Sequence, residues 1–305
     1  MEKSRIPHFL THPKDIALGI MKRTASLWSD AMYLKIVYRL TMGKPLNLKN
    51  PKTFTEKLNW LKIHDRRPEY TTLVDKYEVK EVVNGILGTT EHTIPTIKIW
   101  NSPEEIDLAE LPDKFVLKTT NGGGNTAVVI CRDKSKFNLD DARKRLNLKS
   151  GNSIFYPTRE YPYRAITPRI IAEEYIEAPG GELSDYKIFC FDGKPKFLFV
   201  GTDRQTPGEE VKFDFFDTDF KHLPLRNGHH NARKPVRKPD NLEEMLAIAS
   251  KLSQGIPHVR VDLYSVGGKI YFGEMTFFHF GAFVPFDPDE WDITFGQYLN
   301  LPKEN

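Results

Sequence analysis

Alternating apolar and polar positions mark two neighbouring strands near the end of the chain. In residues 259–264 and again in 271–276 the apolar residues fall at every second position, which is the period of a half-buried strand. The Gly267-Gly268 pair between them predicts a hairpin turn. The polar positions carry one guanidinium and two carboxylates, which make poor core residues because unpaired buried charge costs several kcal/mol.

The register of this hairpin decides what its charges can do. A two-residue turn on Gly267-Gly268 would pair Asp262 with Gly273 and direct Glu274 to the opposite face. A loop with an odd number of residues, or a bulge, would instead place both carboxylates on one face. The first arrangement is an ordinary surface hairpin. The second is suited to Mg²⁺ and nucleotide phosphates, because hard Mg²⁺ takes carboxylate and phosphate oxygens together.

Helical periodicity dominates the first part of the chain. Residues 14–42 keep one stripe apolar, which predicts one long helix or two shorter ones. A second helix is predicted over 53–63, with Thr53 as its cap and Glu56 at the capping-box position. A third is predicted from about Asp75 to Gly85.

Strand patterns with a few short helices follow. Strands are predicted at Thr93–Trp100, Phe115–Thr120, Thr126–Arg132, Arg169–Ile176, Lys187–Phe191 and Lys196–Thr202, and helices at Pro103–Leu111 and Asn241–Ser253. The segment 203–240 is rich in proline, glycine and charge, which favours a mobile loop.

Composition narrows the class of protein. The 305 residues suffice for one large or two ordinary domains, and no run approaches the ~20 apolar residues needed to span a bilayer. The first residues lead to no secretory segment, so we expect a cytoplasmic protein, at most associated with the inner face of the membrane. Cys131 and Cys190 stand alone in apolar runs, which favours buried free thiols.

Charge is distributed unevenly along the chain. Residues 1–52 contain ten lysines and arginines against three acids, a net charge of +7. The whole chain carries +3, which leaves −4 for the remainder. A basic leading segment is typical of proteins that meet an anionic glycan, phospholipid headgroups or nucleic acid. A solvated helix face packed on the main domain explains the same charges.

Two further motifs carry candidate chemistry. Lys118 ends a strand and Gly122-Gly123-Gly124 follow it, with another strand after the loop. This order excludes the Walker A and GxGxxG arrangements, which lead into a helix. The loop is either a plain hairpin turn or a set of backbone N–H groups for an anion. The acids that end the strand 170–176 indicate an edge strand or a nucleotide-reading hinge.

Taken in order, these pieces resemble the ATP-grasp superfamily of carboxylate–amine ligases, over roughly residues 70–285. More closely, the chain resembles its TupA-like branch, which is associated with bacterial cell-surface polysaccharides. The residues that carry the closer resemblance are Asn50–Trp60, Leu73–Lys76, Asp185–Lys187 and Pro285–Pro288. The resemblance implies an α+β ATP-grasp fold, with two subdomains that grip ATP between antiparallel sheets. The implied organisation is a basic N-terminal helical region at 1–65 and an ATP-grasp domain at 66–305, divided into 66–172 and 173–305.

The resemblance also implies a role for each motif, with ATP and Mg²⁺ as cofactors. Phosphate would be held by Lys76 and Lys118, with Gly122, Gly123 and Gly124 closing over it and Lys187 and Arg204 as further contacts. Adenine would be framed by the backbone of Glu173, Tyr175 and Ile176, and ribose by Asp185. The metal would be held by Asp262, Glu274 and Thr276, and Arg260 would stabilise the acyl phosphate and the tetrahedral intermediate.

Two residues of this set are open to a second interpretation. The family's ExN motif is Glu274-Met275-Thr276 here, so a hydroxyl replaces an amide oxygen and leaves open whether one or two metals bind. His279 either assists the amine or packs among the neighbouring phenylalanines.

The branch resemblance implies an amide bond between an amino acid or amine and a uronic acid of a surface polysaccharide or its lipid-linked precursor. The expected partners are therefore an anionic glycan or lipid-linked sugar and an amine, with peripheral membrane contact through the basic segment and no nucleic acid. A glycosyltransferase is the alternative, because Asp217-Thr218-Asp219 has the form of a DxD metal motif. A nucleotide-binding module without catalysis would be expected to lack Asp262 or Glu274.

Overall fold

The computed structural model of the protein describes residues 13–122, 127–177, 184–203 and 209–303. The predictions for Gly123, Gly124 and Arg204 concern positions outside these ranges. The α-helices within them are α1 Pro13–Arg23, α2 Asp30–Met42, α3 Phe54–His64, α4 Tyr70–Val74, α5 Val79–Leu87, α6 Leu139–Arg145, α7 Gly151–Thr158, α8 Leu242–Leu252 and α9 Glu290–Tyr298. Short 3₁₀ helices lie at Ala25–Leu27, Pro103–Glu105, Leu108–Glu110, Lys134–Lys136, Tyr161–Tyr163 and His279–Ala282.

The strands form two main antiparallel sheets. The strands are β1 Thr96–Trp100, β2 Phe115–Thr119, β3 Val128–Cys131, β4 Ile170–Glu174, β5 Ser184–Phe191, β6 Lys194–Thr202, β7 Lys212–Asp217, β8 His222–Leu223, β9 Arg226–Asn227, β10 Val259–Val266, β11 Lys269–Thr276 and β12 Phe286–Asp287. One sheet has the order β1-β4-β2-β3, the other β11-β10-β5-β6-β7-β8, and β12 pairs with β9. Each sheet has its own hydrophobic cluster, so the expected α+β class with two antiparallel sheets is confirmed.

The leading helices form a third buried cluster. The apolar stripe predicted over 14–42 is divided between α1 and α2, with a 3₁₀ turn at Ala25–Leu27 between them. Tyr33, Leu34 and Tyr38 of α2 are fully buried in this cluster.

Helix α3 begins as its sequence predicts. The Thr53 hydroxyl accepts from the Glu56 N–H, and the Glu56 carboxylate accepts from the Thr53 N–H at 3.2 Å. Both ends of this capping box satisfy amide groups that the first turn would otherwise leave unpaired. Helix α3 then packs against α9 and so joins the first and last parts of the described chain.

The hairpin β10–β11 has the register that shared carboxylates require. Its turn is the two-residue Gly267-Gly268, because Val266 pairs with Lys269. The register shifts between Asp262 and Leu263, so that Asp262 lies opposite Glu274. The extra residue is Gly273, which makes this a β-bulge. The bulge therefore supplies the one-residue shift that the turn does not.

Several parts of the chain differ from the sequence prediction. The segment 203–240 contains β7, which is paired with β6 along its whole length, so the expectation of a mobile loop was wrong for Lys212–Asp217. Pro103–Leu111 forms two 3₁₀ turns instead of one helix. Both cysteines are buried free thiols, as predicted. Across the described residues, no helix has the length and apolar character that crossing a membrane requires.

Candidate active site

Three charged side chains form a row across β11, β10 and β5, at one edge of the large sheet. Asp262 of β10 lies opposite Glu274 of β11 on one side and opposite Lys187 of β5 on the other. Directly opposed residues in antiparallel strands project to the same face. Lys187 Nζ is ion-paired with the Asp262 carboxylate and lies 2.9 Å from Asp185 Oδ2. The register thus brings side chains from three strands together on one polar face of the sheet.

Arg260 lies two residues before Asp262 on β10 and therefore projects to the same face. Its Nε and Nη2 donate to the two oxygens of Asp262 at 2.7 and 2.8 Å, a bidentate arrangement. Nη2 also donates to Thr276 Oγ1 at 2.9 Å and lies 3.7 Å from Glu274 Oε1. A planar guanidinium holds carboxylates in fixed positions in this way. Arg260 therefore orients all three residues that were predicted to hold a metal.

His279 completes the surroundings of Arg260. Its Nδ1 lies 2.8 Å from Arg260 Nη1, and its Nε2 lies 2.9 Å from Asn227 Oδ1. Since Arg260 can only donate, Nδ1 is the acceptor and the proton lies on Nε2. Burial, together with the nearby positive charge of Arg260, lowers the pKa of His279 well below its ordinary value. In this arrangement the neutral ring positions Arg260, and assistance to an amine stays a prediction.

The two carboxylates differ in their electrostatics. Burial raises the pKa of Asp262 above its ordinary value, and the attraction of Arg260 and Lys187 does not outweigh it. Burial also disfavours ionisation of Glu274, but Lys76 and the neighbouring cations outweigh it and lower its pKa to about 2. The side chain of Glu274 is 34% exposed, whereas that of Asp262 is 1% exposed. Glu274 is thus the more accessible member of the pair, and its negative charge is favoured by Lys76.

Lys76 reaches this site from outside the large sheet. The Asp75 carboxylate accepts from the N–H groups of Tyr77 and Glu78 and so fixes the turn before α5. The Lys76 side chain then donates to the Gly122 carbonyl at 2.5 Å and lies 3.3 Å from Glu274 Oε2. One ammonium group therefore contacts both the start of the glycine loop and the metal candidate.

The other predicted lysine belongs to a second buried cluster on the small sheet. Glu173 is 2% exposed, and its carboxylate is ion-paired with both Lys118 and Lys80. Lys80 Nζ also donates to the Ile94 carbonyl at 2.7 Å and to Thr96 Oγ1 at 2.6 Å. Burial lowers the pKa of Lys80, although Glu173 opposes this effect. The side chain of Glu173 therefore holds two lysines, a role distinct from the backbone contact predicted for it.

The remaining predicted residues lie around these two clusters. Asp185 is buried and shares Lys187 with Asp262, which places the ribose candidate beside the metal candidates. Tyr175 and Ile176 follow the end of β4, and the Tyr175 hydroxyl accepts from Arg132 Nε at 3.3 Å. The Cβ of any larger residue at Gly122 would lie 2.2 Å from Thr119 Oγ1, so this position requires glycine.

Some residues near the site were not found from the sequence. Lys80 follows Lys76 by four residues, a spacing at which two side chains would project from the same side of a helix. This spacing could have suggested that both lysines lie near the site. Glu160 and Tyr163 are close enough for their pKa values to respond to Arg260. They lie in a loop and a 3₁₀ turn without a motif, so only the tertiary structure reveals them.

Comparison with known families identifies the chain. The model of the TupA-like ATP-grasp family matches residues 56–300. The chain belongs to this family. The match begins within α3 and ends after α9, so it includes the carboxylate pair, both lysine clusters and the glycine loop. A comparison with curated proteins gives no match.

Three of the solved structures that are similar to this ATP-grasp chain share little sequence with it. D-alanine–D-alanine ligase from Bacillus anthracis is 18% identical over 67% of this chain and 56% of its own, with a TM-score of 0.36. D-cycloserine synthetase DcsG is 18% identical over 75% and 69%, with a TM-score of 0.41. The ATP-grasp ligase PsnB with minimal precursor, Mg and ADP is 14% identical over 73% and 57%, with a TM-score of 0.36. The chain spans little more than half the length of the first of these ligases.

Proposed function

We propose that this TupA-like ATP-grasp chain is an ATP-dependent carboxylate–amine ligase. The observation that carries the proposal is the carboxylate pair Asp262 and Glu274, which a β-bulge at Gly273 places on one face. Lys76 links this pair to the first residue of the glycine loop. Membership of the family supports the same reaction class.

The residues present fit a magnesium ion. Asp262, Glu274 and Thr276 offer only oxygen donors, the type that Mg²⁺ prefers. Glu274 is ionised at neutral pH because its pKa is lowered to about 2, so it needs no deprotonation to coordinate. Within the described ranges, no group of three or more His, Cys, Asp or Glu residues forms an alternative metal site. Mg²⁺, when bound, would neutralise charge on the transferred phosphate.

The chain itself would supply positioning and positive charge. The acceptor carboxylate attacks the γ-phosphate of ATP to give an acyl phosphate, and an amine then displaces phosphate to form the amide. We assign Lys76 and Lys187 to the phosphate oxygens and Arg260 to the developing oxyanion. Such a reaction needs no protein nucleophile, since preorganised charge supplies the rate. This accounts for a site built from Lys, Arg, Asp and Glu.

We further propose a uronic acid of a surface polysaccharide, or its lipid-linked precursor, as the acyl component. Support comes from the branch resemblance and from the basic segment 1–52, whose net charge of +7 suits an anionic glycan.

The glycosyltransferase alternative is less favoured by the geometry. The Asp217 carboxylate accepts from the N–H groups of Asp219 at 3.0 Å and Lys221 at 2.8 Å. It therefore caps its own turn at the end of β7, as short acids commonly do. A carboxylate used in this way is a poor metal ligand.

An ADP-release assay that crosses uronic acids with amino acids tests the proposal. We expect ADP only when ATP, Mg²⁺, a carboxylate and an amine are all present. Hydroxylamine in place of the amine should trap the acyl phosphate as a hydroxamate. Release of UDP from a sugar nucleotide without ATP would instead establish the glycosyltransferase.

We propose the leading helices as the contact to a membrane that carries the acceptor. Leu27 is 81% exposed and Ile20 is 56% exposed, and Lys22 and Arg23 are exposed beside them. Exposed apolar side chains flanked by cations are typical of surfaces that bind anionic bilayers.

Flotation with vesicles tests this contact. The chain should float with phosphatidylglycerol-containing vesicles and not with pure phosphatidylcholine vesicles. Leu27→Ser with Ile20→Ser should abolish flotation, while Ile293→Ser, an exposed apolar residue of α9, serves as the control. Equal flotation of the two variants would refute this contact and leave the ligase proposal untouched.

A further inference from the structure

A cavity of about 300 Å³ lies at the start of the glycine loop. Its lining includes Asn121, Gly122, Arg145, Lys149, Glu160 and Tyr163. Its connection to the site is direct, because the Gly122 carbonyl accepts from the same Lys76 ammonium that contacts Glu274. A molecule in this cavity would therefore lie next to the place where phosphate chemistry is proposed.

Glu160 is the acid of this cavity. Among the described residues, the cations that act on its carboxylate are Lys62 and Arg260, and neither forms a salt bridge with it. Burial raises its pKa to about 7, although the charges of Lys62 and Arg260 oppose this. Lys62 is itself held elsewhere, because its Nζ donates to the Gly281 carbonyl at 2.7 Å and lies 4.3 Å from the Phe283 ring centre. A cationic ligand would thus reduce the free-energy cost of keeping this half-buried carboxylate charged.

The basic side of the same cavity is formed by Arg145 and Lys149. Both residues are exposed, and Arg145 uses one nitrogen to donate to the Val128 carbonyl at 3.0 Å. A guanidinium has five N–H donors, so most of them are available to a ligand. Asn121 holds the backbone here by donating to the Lys149 carbonyl at 2.7 Å. The cavity therefore combines one acid with two cations.

We propose that this cavity binds the amine donor as an α-amino acid, with its ammonium group on Glu160 and its carboxylate on Arg145 and Lys149. This inference rests on the proposed ligase function and specifies its amine substrate. The volume agrees, since about 300 Å³ is at the lower end for small-molecule sites. A polymer-borne sugar is too long for such a space and would be the other substrate.

The test compares donors in the ADP-release assay. Glycine, L-alanine and L-glutamate are compared with ethanolamine, which has the amine but no carboxylate. Arg145→Ala with Lys149→Ala should raise the KM for the amino acids by about tenfold or more, leave the KM for ATP unchanged, and reduce the preference over ethanolamine. Lys144→Ala, next to Arg145 on α6 and outside the cavity lining, is the matched control.

The Glu160→Gln variant tests the contact to the ammonium group independently of the contact to the carboxylate group. It should raise the KM of amino acids and ethanolamine alike and so keep the preference between them. Its thermal midpoint should stay near that of the parent chain, because Gln is isosteric and removes a charge that burial disfavours. A fall in kcat without a change in the donor KM would overturn the assignment.

Different results would refute the cavity assignment and the ligase proposal. Ligation with donor KM values that the variants leave unchanged would overturn only the cavity assignment. ADP release that never depends on an amine would overturn the ligase. Calorimetric titration of the same amino acids into the protein with ADP and Mg²⁺ decides the cavity without turnover, because binding must weaken in the Arg145/Lys149 variant. Equal heats in both proteins would refute it.

Discussion

Arg159 and Arg260 are both buried, yet their hydrogen bonds go to different kinds of partner. Arg159 donates to the main-chain carbonyls of Ala25 and Trp28 at 2.7 and 3.1 Å and is ion-paired with Asp30 at 2.7 Å. These contacts tie the turn after α1 and the start of α2 to the end of α7. The guanidinium also lies 4.1 Å from the ring centre of Tyr33. These contacts of Arg159 hold neighbouring parts of the fold together.

Arg260 instead contacts side chains of the proposed active site. Its partners are the Asp262 carboxylate, the Thr276 hydroxyl and the His279 ring. The side-chain oxygens could exchange the arginine for a metal, and the guanidinium could then bind a phosphate, whereas main-chain carbonyls inside a fold have fixed partners. The difference teaches that burial and charge alone do not indicate function. The type of atom that an arginine contacts distinguishes a structural from a chemical role.

The largest expected effect is on turnover. Glu274→Gln should reduce ADP release by about a thousandfold, since one metal-binding carboxylate is lost. Its thermal midpoint should fall only modestly, because the variant loses the ion pair with Lys76 but Glu274 is partly exposed and Lys76 keeps its bond to the Gly122 carbonyl. Glu243→Gln on the exposed face of α8 is the control. Full turnover in Glu274→Gln would refute the metal assignment.

Arg159→Met should show the opposite pattern. It leaves the Ala25 and Trp28 carbonyls without this donor, while Asp30 keeps its ion pair with Arg66. The loss should cost about 2 to 4 kcal/mol of unfolding free energy. Turnover per folded molecule should stay near that of the parent chain, measured at a temperature where both are folded. The exposed Arg237→Met provides the reference for urea unfolding. A loss of turnover without a loss of stability would remove the distinction between the two arginines.

Gly273→Ala tests the bulge that joins the carboxylates. The added Cβ would lie 3.1 Å from the Asp262 carbonyl and 3.1 Å from Tyr264 Cε2, so the strands must move by a few tenths of an ångström. We expect turnover to fall by roughly tenfold at most, with stability nearly unchanged. Gly85→Ala, in helix α5 with open space around it, should leave turnover intact. Equal turnover in both variants would show that the exact register is unimportant.

The smallest effect is on acid stability. The pKa of Glu274 is lowered from 4.5 to about 2 in the fold, so the unfolded chain takes up the proton first as the pH falls. The stability that this group contributes is therefore fully present above pH 4.5 and is lost as the pH falls to about 2. Urea unfolding across this range should show a steeper loss for the parent chain than for Glu274→Gln. Parallel curves would contradict the ion pair with Lys76.

Local features were predictable because neighbouring residues determine them. The capping box of Thr53 and Glu56 and the alternation along β10 depend on short-range hydrogen bonds and side-chain period. Strand β7 was missed because the prolines, glycines and charges on either side of Lys212–Asp217 suggested a continuous loop. Its pairing with β6 outweighs this composition.

The sequence by itself determined the family, the order of its motifs and the requirement that Asp262 and Glu274 share a face. Only the tertiary structure decided how that requirement is met, because a bulge at Gly273 depends on how the two strands pair and not on the residues of either strand alone. It also brought Glu160 to the cavity beside Lys76 and directed Lys80 to Glu173. These contacts join positions far apart in the chain, so packing alone determines them.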